Sequence, residues 1–215
     1  MPTYPTDVFL NQYAPLAPIH RFAQVRAHHT PHIMALWEAW EKECGHECET
    51  PFWGVIWPAS IAIVRLLLNG TIQVRNKSVL DFGCGGAIPS IAACQAGAAQ
   101  VEANDIDPVA LYVAGKNAAA NGVDPDFTAG NLLESTGVAA DVILVADMFY
   151  ERSKAGPTRS FLDAQRAKGV EVFLADGERA YAPREGFREI HRETVPVSFD
   201  VESVTQRLVR VVQMQ

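Results

Sequence analysis

The sequence has no apolar run long enough to cross a membrane and no excess of basic residues. Its 18 lysines and arginines are outnumbered by 25 aspartates and glutamates, so the formal net charge is −7. This balance argues against nonspecific binding to nucleic acid or to an anionic membrane, and it is compatible with a basic or cationic ligand. We therefore expect neither nucleic acid nor membrane among the partners.

The first residues lack the pattern of a targeting segment. The stretch MPTYPTDVFLNQYAPLAP has no basic start followed by an apolar run, which a signal peptide needs. It carries Asp7 and is poor in arginine, which also disfavours a transit peptide. We expect a cytoplasmic location.

Cysteine is scarce, with residues at 44, 48, 84 and 94 only. Cys44, His46 and Cys48 lie together in ECGHEC, which could form part of a metal site. The second half of a zinc pattern is missing, although histidines stand upstream at 28, 29 and 32. We expect free thiols and no metal.

A chain of 215 residues with 48% hydrophobic content is expected to form one domain with an ordinary core. Residues 1–50 read as a proline-rich leader followed by an amphipathic helix in HIMALWEAWEKEC. TPFWGVIWPAS is typical of an aromatic turn. IAIVRLLLNG then predicts a buried helix that ends at Asn69 and Gly70.

From residue 77 onward, short apolar strands alternate with helices. The predicted strands are KSVLDF, QVEAND, DFTAG, DVILVAD and VEVFLAD. Four helices are predicted in this part of the chain. The first follows the glycines near 85, and the second is DPVALYVAGKNAAANG, between the cap Asp107 and Gly122. The third covers 159–167 and the fourth is REGFREIHRE. VSFDVES and QRLVRVVQM are expected to close the sheet as an antiparallel pair.

This alternation predicts an α/β fold with a doubly wound, Rossmann-like, mostly parallel sheet, whose core spans residues 77–215. In such sheets, ligands bind at the carboxyl ends of the strands.

The turn after the first of these strands favours a cofactor without phosphate. Gly83 and Gly85 are not followed by the third glycine of a dinucleotide fingerprint, because Ile88 stands there. Asp81 at the strand tip would repel a diphosphate, and no GxxxxGK[ST] sequence is present. S-adenosylmethionine, a cation, removes this conflict, and the glycines then allow close approach of the backbone.

Residues after the next two strands complete the predicted cofactor site. Asp105 stands about 20 residues after the glycine turn, where an acid can bind the two hydroxyls of a ribose. Asp107 has a competing role as a helix cap, and both acids are alternatively simple helix-start residues. Asn131 is a candidate for the adenine edge, and Ile106, next to Asp105, is a further candidate for contact with the cofactor.

These motifs resemble those of class I S-adenosylmethionine-dependent methyltransferases, and more narrowly the lysine methyltransferases of the electron-transfer-flavoprotein beta subunit. The matching stretches are PFWGVIWP, VLDFGCGG, ANDIDP with NAAANGV, DMFYE and RAYAPREG, which span roughly residues 50–186. The resemblance implies one methyltransferase domain over 1–215, S-adenosylmethionine as cofactor and the flavoprotein subunit as protein substrate. It also implies that Trp53 and Trp57 wall the cofactor pocket, whereas ordinary core packing is the alternative.

The chain departs from the family pattern at three places. Ala59 and Ser60 replace two glycines, and Ala87 stands where the glycine-rich loop usually continues to a glycine. The segment that the family writes as GDPGR is ADGER here, which puts Glu178 beside the expected substrate mouth.

The predicted catalytic residues are Asp147, Phe149 and Tyr150 in DMFYE. Methyl transfer from a sulfonium depends on positioning and needs no protein nucleophile. Asp147 would orient an amine, and the rings would contact its cationic form. A lysine amine has a pKa near 10.4 and must lose its proton to react, which a carboxylate opposes and desolvation favours. Alternatively, DMFYE is a strand end whose rings pack under a loop.

Three other functions remain open on the sequence. The acceptor could be a small amine or a nitrogen heterocycle such as nicotinamide. The chain could instead be a cofactor-binding module without activity, for which Ala87 and Glu178 argue. A nicotinamide-dependent reductase would require diphosphate binding. The sequence makes no prediction of oligomeric state.

Overall fold

The computed structural model describes residues 3–135 and 137–215. The strands are β1 (Leu16–Ile19), β2 (Phe22–His28), β3 (Ser78–Phe82), β4 (Gln100–Asp105), β5 (Asp126–Ala129), β6 (Val142–Ala146), β7 (Glu171–Asp176), β8 (Phe187–Pro196) and β9 (Gln206–Met214). The α-helices are α1 (Asp7–Tyr13), α2 (Ile33–Cys44), α3 (Pro58–Leu68), α4 (Ile88–Gln95), α5 (Pro108–Ala120), α6 (Arg152–Ala167) and α7 (Phe199–Glu202). No helix in these ranges is long and apolar enough to cross a membrane.

Seven strands form one sheet in the order β5-β4-β3-β6-β7-β9-β8. The five strands from β3 to β7 are parallel, and β9 runs antiparallel to both β7 and β8. The chain builds outward from β3 to β5 and then returns to β6 on the other side of β3. This reversal opens a crevice at the carboxyl ends of β3 and β6. The predicted doubly wound sheet with an antiparallel close is confirmed.

The sheet is buried on both faces because successive side chains of a strand point to opposite sides. In β6, Val142 and Leu144 pack in the layer of α3 and α4, whereas Ile143 and Val145 pack in the layer of α6. This two-sided burial explains why the β6 sequence is a continuous apolar run rather than an alternating one.

Local capping signals are confirmed where the sequence predicted them. The side chain of Asp107 accepts a hydrogen bond from the backbone N–H of Val109 and caps α5, with Pro108 in the first turn. Past the ends of α5 and α3, Gly122 and Gly70 have φ of +66° and +76°. Both glycines occupy the left-handed conformation that commonly ends a helix.

Two C-terminal predictions are wrong. REGFREIHRE is not a helix, because residues 187–196 form the edge strand β8. Its charged side chains suit an edge strand that pairs only with β9 and is otherwise in water. A bulge at Glu189/His191 interrupts the alternation of its side chains between the two faces of the sheet. VSFDVES is not a strand either. It contains α7, so the closing pair is β8 with β9.

The N-terminal leader has regular structure that the sequence did not predict. It contains α1 and the hairpin of β1 and β2, ahead of the predicted α2. Two asparagines of α5 bind the backbone of β2. Asn117 Oδ1 accepts from His28 N at 2.7 Å, and Asn121 Oδ1 accepts from Arg26 N at 2.9 Å. The helix predicted at 159–167 also starts earlier, at Arg152.

Candidate active site

The glycine turn after β3 and the end of β4 meet at the crevice. Gly83 and Gly85 have φ of +70° and +51°. The N–H of Gly85 donates to Asp105 Oδ2 at 2.8 Å, and Asp105 Oδ1 accepts from Asp107 N at 3.0 Å. A Cβ built on Gly85 would meet no other atom within 4 Å, so this turn borders open space. The two predicted elements of a cofactor site are therefore adjacent.

Gly83 has a different requirement. A Cβ at this position would overlap the side chain of Met148, which belongs to the DMFYE segment after β6. The missing side chain therefore lets the ends of β3 and β6 pack closely. This contact joins the expected cofactor and acceptor regions.

Asp81 does not line the crevice, which corrects the expectation from the sequence. Its side chain is buried, and its Oδ2 accepts from Ser90 N at 3.0 Å and from Ser90 Oγ at 2.6 Å. Ser90 is in the first turn of α4, where backbone N–H groups have no partner within the helix, so Asp81 caps α4. Burial raises the pKa of the Asp81 carboxyl to about 7, against the effect of the Ser90 hydrogen bonds.

Two further predicted cofactor residues, Ile106 and Asn131, follow Asp105 in the chain. Ile106 is exposed and offers an apolar surface at the carboxyl end of β4. Asn131 makes local contacts: its Oδ1 accepts from Leu133 N at 3.2 Å, and its Nδ2 donates to Glu134 Oε1 at 2.8 Å. Asn131 thus caps the short 3₁₀ turn Leu132–Glu134 after β5.

Asp147 is a buried junction between three segments. Its Oδ2 accepts from Ala59 N at 3.0 Å, in the first turn of α3. Its Oδ1 accepts from Gly177 N and from Arg179 Nε, both at 3.0 Å. Asp147 also adopts a left-handed conformation with φ of +52°. The structure therefore places its carboxylate on protein donors, and its predicted contact with an acceptor amine stays a prediction.

Arg179 extends this junction to the C-terminal segment. Its guanidinium makes a two-pronged contact with Glu202, at 2.8 Å from Nη1 and 2.6 Å from Nη2. Glu202 also accepts from Arg207 Nε at 2.8 Å. Burial opposes the charge of Arg179, but the carboxylates of Glu202 and Asp147 more than offset this and raise the pKa of the guanidinium.

Three rings at the end of β6 form what we call the aromatic cluster: Phe52, Trp57 and Tyr150. The ring of Phe52 lies 5.6 Å from that of Trp57 and 5.9 Å from that of Tyr150, both in edge contacts. Arg179 Cζ lies 5.6 Å from the Trp57 ring centre. Phe52 and Tyr150 are exposed. The cluster therefore gives the crevice an aromatic surface beside a buried ion pair.

Phe149 and Trp53 are placed differently. Phe149 is 1% exposed and packs in the core layer of α6, so Tyr150 is the ring of this predicted pair that reaches the surface. The Trp53 side chain is 2% exposed and packs with Leu36 and Trp40, so it belongs to the core rather than to the wall of the pocket. Only its backbone approaches the glycine turn, since Trp53 O lies 3.2 Å from a Cβ built on Gly86.

A further buried carboxyl stands at the end of β7. Asp176 Oδ1 accepts from Arg179 N at 2.7 Å, whereas its Oδ2 is buried and has no hydrogen-bond partner among the described residues. Burial raises the pKa of Asp176 to about 6, and the nearby Asp147 adds to this rise.

Two departures from the family pattern fall on left-handed backbone. Ala87 and Glu178 have φ of +58° and +60°. Glycine adopts this conformation without a steric cost, so the glycines that the resemblance led us to expect at these positions would have a backbone reason. The fold accommodates alanine at position 87 and glutamate at position 178 in this conformation.

Sequence reasoning missed Phe52, Ser90 and the role of Arg179. Phe52 is part of PFWGVIWP, where only the tryptophans were selected, and Arg179 is part of ADGER. Phe52 lies within a stretch that resembles the family, and Arg179 is also the first residue of another such stretch, RAYAPREG. No local signal identified Ser90 as the partner of Asp81.

Comparisons with known proteins agree with this geometry. Residues 65–150 match the family model of the ribosomal protein L11 methyltransferases (PrmA). The chain is 34% identical over 145 residues to the electron transfer flavoprotein beta subunit lysine methyltransferase of Danio rerio, covering 66% of this chain and 56% of the relative. Identity to the Xenopus laevis relative of the same name is 39% over 132 residues, covering 60% and 54%.

Among solved structures, the chain superposes on magnesium protoporphyrin IX methyltransferase from Synechocystis PCC 6803, which contains S-adenosylmethionine. The TM-score is 0.54 at 23% identity, covering 73% of this chain and 78% of that one. The chain has the class I methyltransferase fold. The resemblance to flavoprotein lysine methyltransferases is also confirmed, although this chain spans little more than half the length of those relatives.

Proposed function

We propose that this chain is an S-adenosylmethionine-dependent N-methyltransferase that modifies a lysine of the electron transfer flavoprotein beta subunit. The observation that carries the proposal is the contact of the Gly85 amide with Asp105 beside open space at the sheet reversal. In class I methyltransferase folds this edge is where a ligand binds. The names of the relatives at 34–39% identity supply the acceptor.

The residues at this edge fit S-adenosylmethionine. Asp105 can accept hydrogen bonds from ribose hydroxyls, the Gly85 turn leaves room for the ligand, and exposed Ile106 offers apolar contact to an adenine. When bound, this group supplies an electrophilic methyl carbon on a sulfonium. Asp81 contributes by fixing the start of α4 behind the turn.

The aromatic cluster is the proposed acceptor side of the crevice. The exposed rings of Phe52 and Tyr150 can hold a long aliphatic amine and exclude water from it. Gly83 keeps Met148 against the glycine turn, so the acceptor side lies next to the cofactor side. Positioning of this kind supplies much of the rate of a displacement reaction.

The ion pair of Asp147 with Arg179 bears on the protonation of the amine. A lysine with an ordinary pKa near 10.4 reacts only after losing its proton. A free carboxylate at Asp147 would hold that proton, but Arg179 Nε at 3.0 Å offsets its charge. We therefore assign Asp147 and Arg179 as positioning residues that fix the loop beside the acceptor.

The test is transfer of a labelled methyl group from S-adenosylmethionine. Purified flavoprotein beta subunit, ribosomal protein L11 and a small-amine fraction containing nicotinamide are incubated separately with the enzyme. We expect label on a lysine of the flavoprotein, located by mass spectrometry. Tyr150→Ala should slow transfer by at least about tenfold, by the loss of one aromatic contact to the amine. Tyr112→Ala, on the exposed face of α5, should not.

Each other outcome contradicts a defined part of the proposal. Label in ribosomal protein L11 or in the small-amine fraction alone would make the acceptor wrong and leave the reaction class intact. Absence of transfer into every fraction and into a whole-cell extract would contradict the enzyme itself.

A further inference from the structure

Three side chains that commonly bind metal ions lie together at the end of α2. Cys44 is the last residue of that helix, Gly45 reverses the chain with φ of +75°, and His46 and Cys48 follow. Their ligand atoms all lie within 4.8 Å of one another. Contrary to the expectation from the sequence, we propose that Cys44, His46 and Cys48 bind one thiophilic divalent cation of the zinc class.

The spacing of the donors fits such an ion. Zinc binds sulfur at about 2.3 Å and imidazole nitrogen at about 2.0 Å in tetrahedral geometry, which separates neighbouring donors by about 3.5–3.8 Å. The observed limit of 4.8 Å exceeds this separation by about 1 Å, a difference of the size that rotation about side-chain torsions produces. The donor types, two thiolates and one imidazole, are those that select zinc over magnesium or calcium.

Hydrogen bonds hold the loop that carries the donors. The backbone carbonyl of Glu41 accepts from Gly45 N at 2.8 Å, and its side chain Oε1 accepts from Cys48 N at 3.2 Å. Trp37 Nε1 donates to Cys48 O at 2.9 Å. Both ends of the loop are thus fixed to α2, so little conformational entropy is lost when a metal binds.

The imidazole is also oriented. His46 Nδ1 lies 2.8 Å from the backbone carbonyl oxygen of Glu47 and 3.8 Å from Cys48 Sγ, so the ring is held beside the thiol. Cys44 and Cys48 are half-buried and His46 is exposed, so an ion has a path of entry and a position for water as fourth ligand.

The charge around the cluster favours a cation. Residues 41–49 contain four glutamates and a single lysine. A divalent ion would compensate both thiolates and this acidic segment.

The proposed site is close in sequence to the aromatic cluster and does not depend on the methyltransferase proposal. Cys48 precedes Phe52 by four residues, and Gly54 packs closely on Leu36 of α2. A metal at Cys48 would therefore tie the segment from 48 to 57 to α2.

The experiment uses the full chain, reduced with a phosphine, freed of metal with a chelator, and titrated with Co²⁺ and then Zn²⁺. We expect one Co²⁺ per chain, with thiolate-to-cobalt charge-transfer absorption and the visible bands of tetrahedral cobalt, displaced by Zn²⁺. Zn²⁺ should also raise the melting temperature. Cys48→Ser and His46→Asn should weaken binding by more than about 100-fold, since losing a ligand exceeds the effect of losing a supporting hydrogen bond.

Cys94→Ser is the matched control, since Cys94 is a half-buried free thiol outside the cluster. It should bind Co²⁺ as the wild type does. The proposal is wrong if the reduced wild type gives no thiolate–cobalt absorption, or if Cys48→Ser and His46→Asn bind as tightly as Cys94→Ser. It is also wrong if Cys44 and Cys48 form a disulfide on mild oxidation while the re-reduced chain binds no metal. His46 is exposed, so His46→Asn decides the matter even where a cysteine variant fails to fold.

Discussion

Three buried aspartates stand at the carboxyl end of the sheet, and each has a different environment. Asp81 faces Ser90, Asp147 faces two backbone amides and Arg179, and Asp176 keeps one oxygen without a hydrogen-bond partner among the described residues. Burial raises the pKa of Asp81 and of Asp176. Asp147 forms an ion pair with Arg179 at 3.0 Å. Similar residues at equivalent strand ends thus have separate tasks.

The raised pKa of Asp81 gives a pH prediction at the residue scale. Its folded-state pKa of about 7 lies above the ordinary value of 3.8, so the folded state binds more protons between these two values. Stability is therefore lost as the pH rises through this window, by at most about 1.4 kcal/mol per pH unit from this group. Asp81→Asn keeps an oxygen acceptor for Ser90 and does not ionise. The free energy of unfolding of the wild type should therefore fall, relative to that of Asp81→Asn, as the pH rises from about 4 to about 8.

Urea unfolding of both proteins across this range measures the difference. The comparison removes the contribution of Asp176, which titrates in the same direction in both proteins. Curves that stay parallel across the whole window would show that Asp81 is not the titrating group.

At the scale of elements, one ion-pair network joins segments that are far apart in sequence. Asp147 follows β6, Arg179 follows β7, Glu202 ends α7 and Arg207 is in β9. Glu202 is buried, and hydrogen bonds from Arg179 and Arg207 more than offset its burial and lower its pKa. The antiparallel end of the sheet is therefore fastened to the loop at the crevice.

Removing the central cation should destabilise the chain strongly. Arg179→Ala leaves Asp147 and Glu202 short of compensation in a buried position, and we expect a loss of about 3 kcal/mol in the free energy of unfolding. Arg179→Lys keeps the charge without the two-pronged contact and should lie between that variant and the wild type. Urea unfolding provides the measurement.

The matched control is Arg192→Ala, which breaks an exposed pair with Glu189. Its stability should be close to that of the wild type, because water already solvates both partners. Equal losses in Arg179→Ala and Arg192→Ala would mean that the network contributes no more than a surface ion pair.

The elements that the sequence predicted are those whose pattern follows from local chemistry. The apolar run of β6 and the cap Asp107 with Gly122 depend on burial of both faces and on backbone geometry, which neighbouring residues determine. β8 is at the edge of the sheet, so much of it faces water and its sequence is rich in charges. This polar pattern lacks the apolar residues of a buried strand, and it was therefore predicted as a helix. The β1–β2 hairpin was missed because Asn117 and Asn121 of a distant helix complete it.

The candidate site shows the same division. The meeting of the Gly85 turn with Asp105 follows from parallel topology, so spacing was sufficient to predict it. The direction of a side chain was not predictable, because it depends on partners remote in sequence. Ser90 turns Asp81 inward, Leu36 and Trp40 bury Trp53, and the layer of α6 buries Phe149.

At the scale of the whole molecule, the reversal of strand order leaves one crevice whose glycine turn faces an acid. A ligand that binds only the folded state stabilises it, by about 2.7 kcal/mol at 100 times its dissociation constant. We expect S-adenosylmethionine and its demethylated product to raise the melting temperature, and NAD to have no effect.

Asp105→Ala should abolish this shift, because it removes the acceptor beside Gly85. Asp163→Ala, in an exposed pair with Arg159 on α6, should retain it. Stabilisation by NAD alone would instead favour the reductase interpretation, and a full shift in Asp105→Ala would move the ligand away from the glycine turn.

The two edge strands of the seven-stranded sheet bear on whether a strand of another molecule can pair with it at high concentration. One margin is β5, only four residues long, and the other is β8, which is kinked by its bulge, carries charges along its length and ends at Pro196. Short, kinked or charged margins offer a poor template for a strand from another molecule. The edges of the seven-stranded sheet therefore disfavour pairing with a strand of a second molecule.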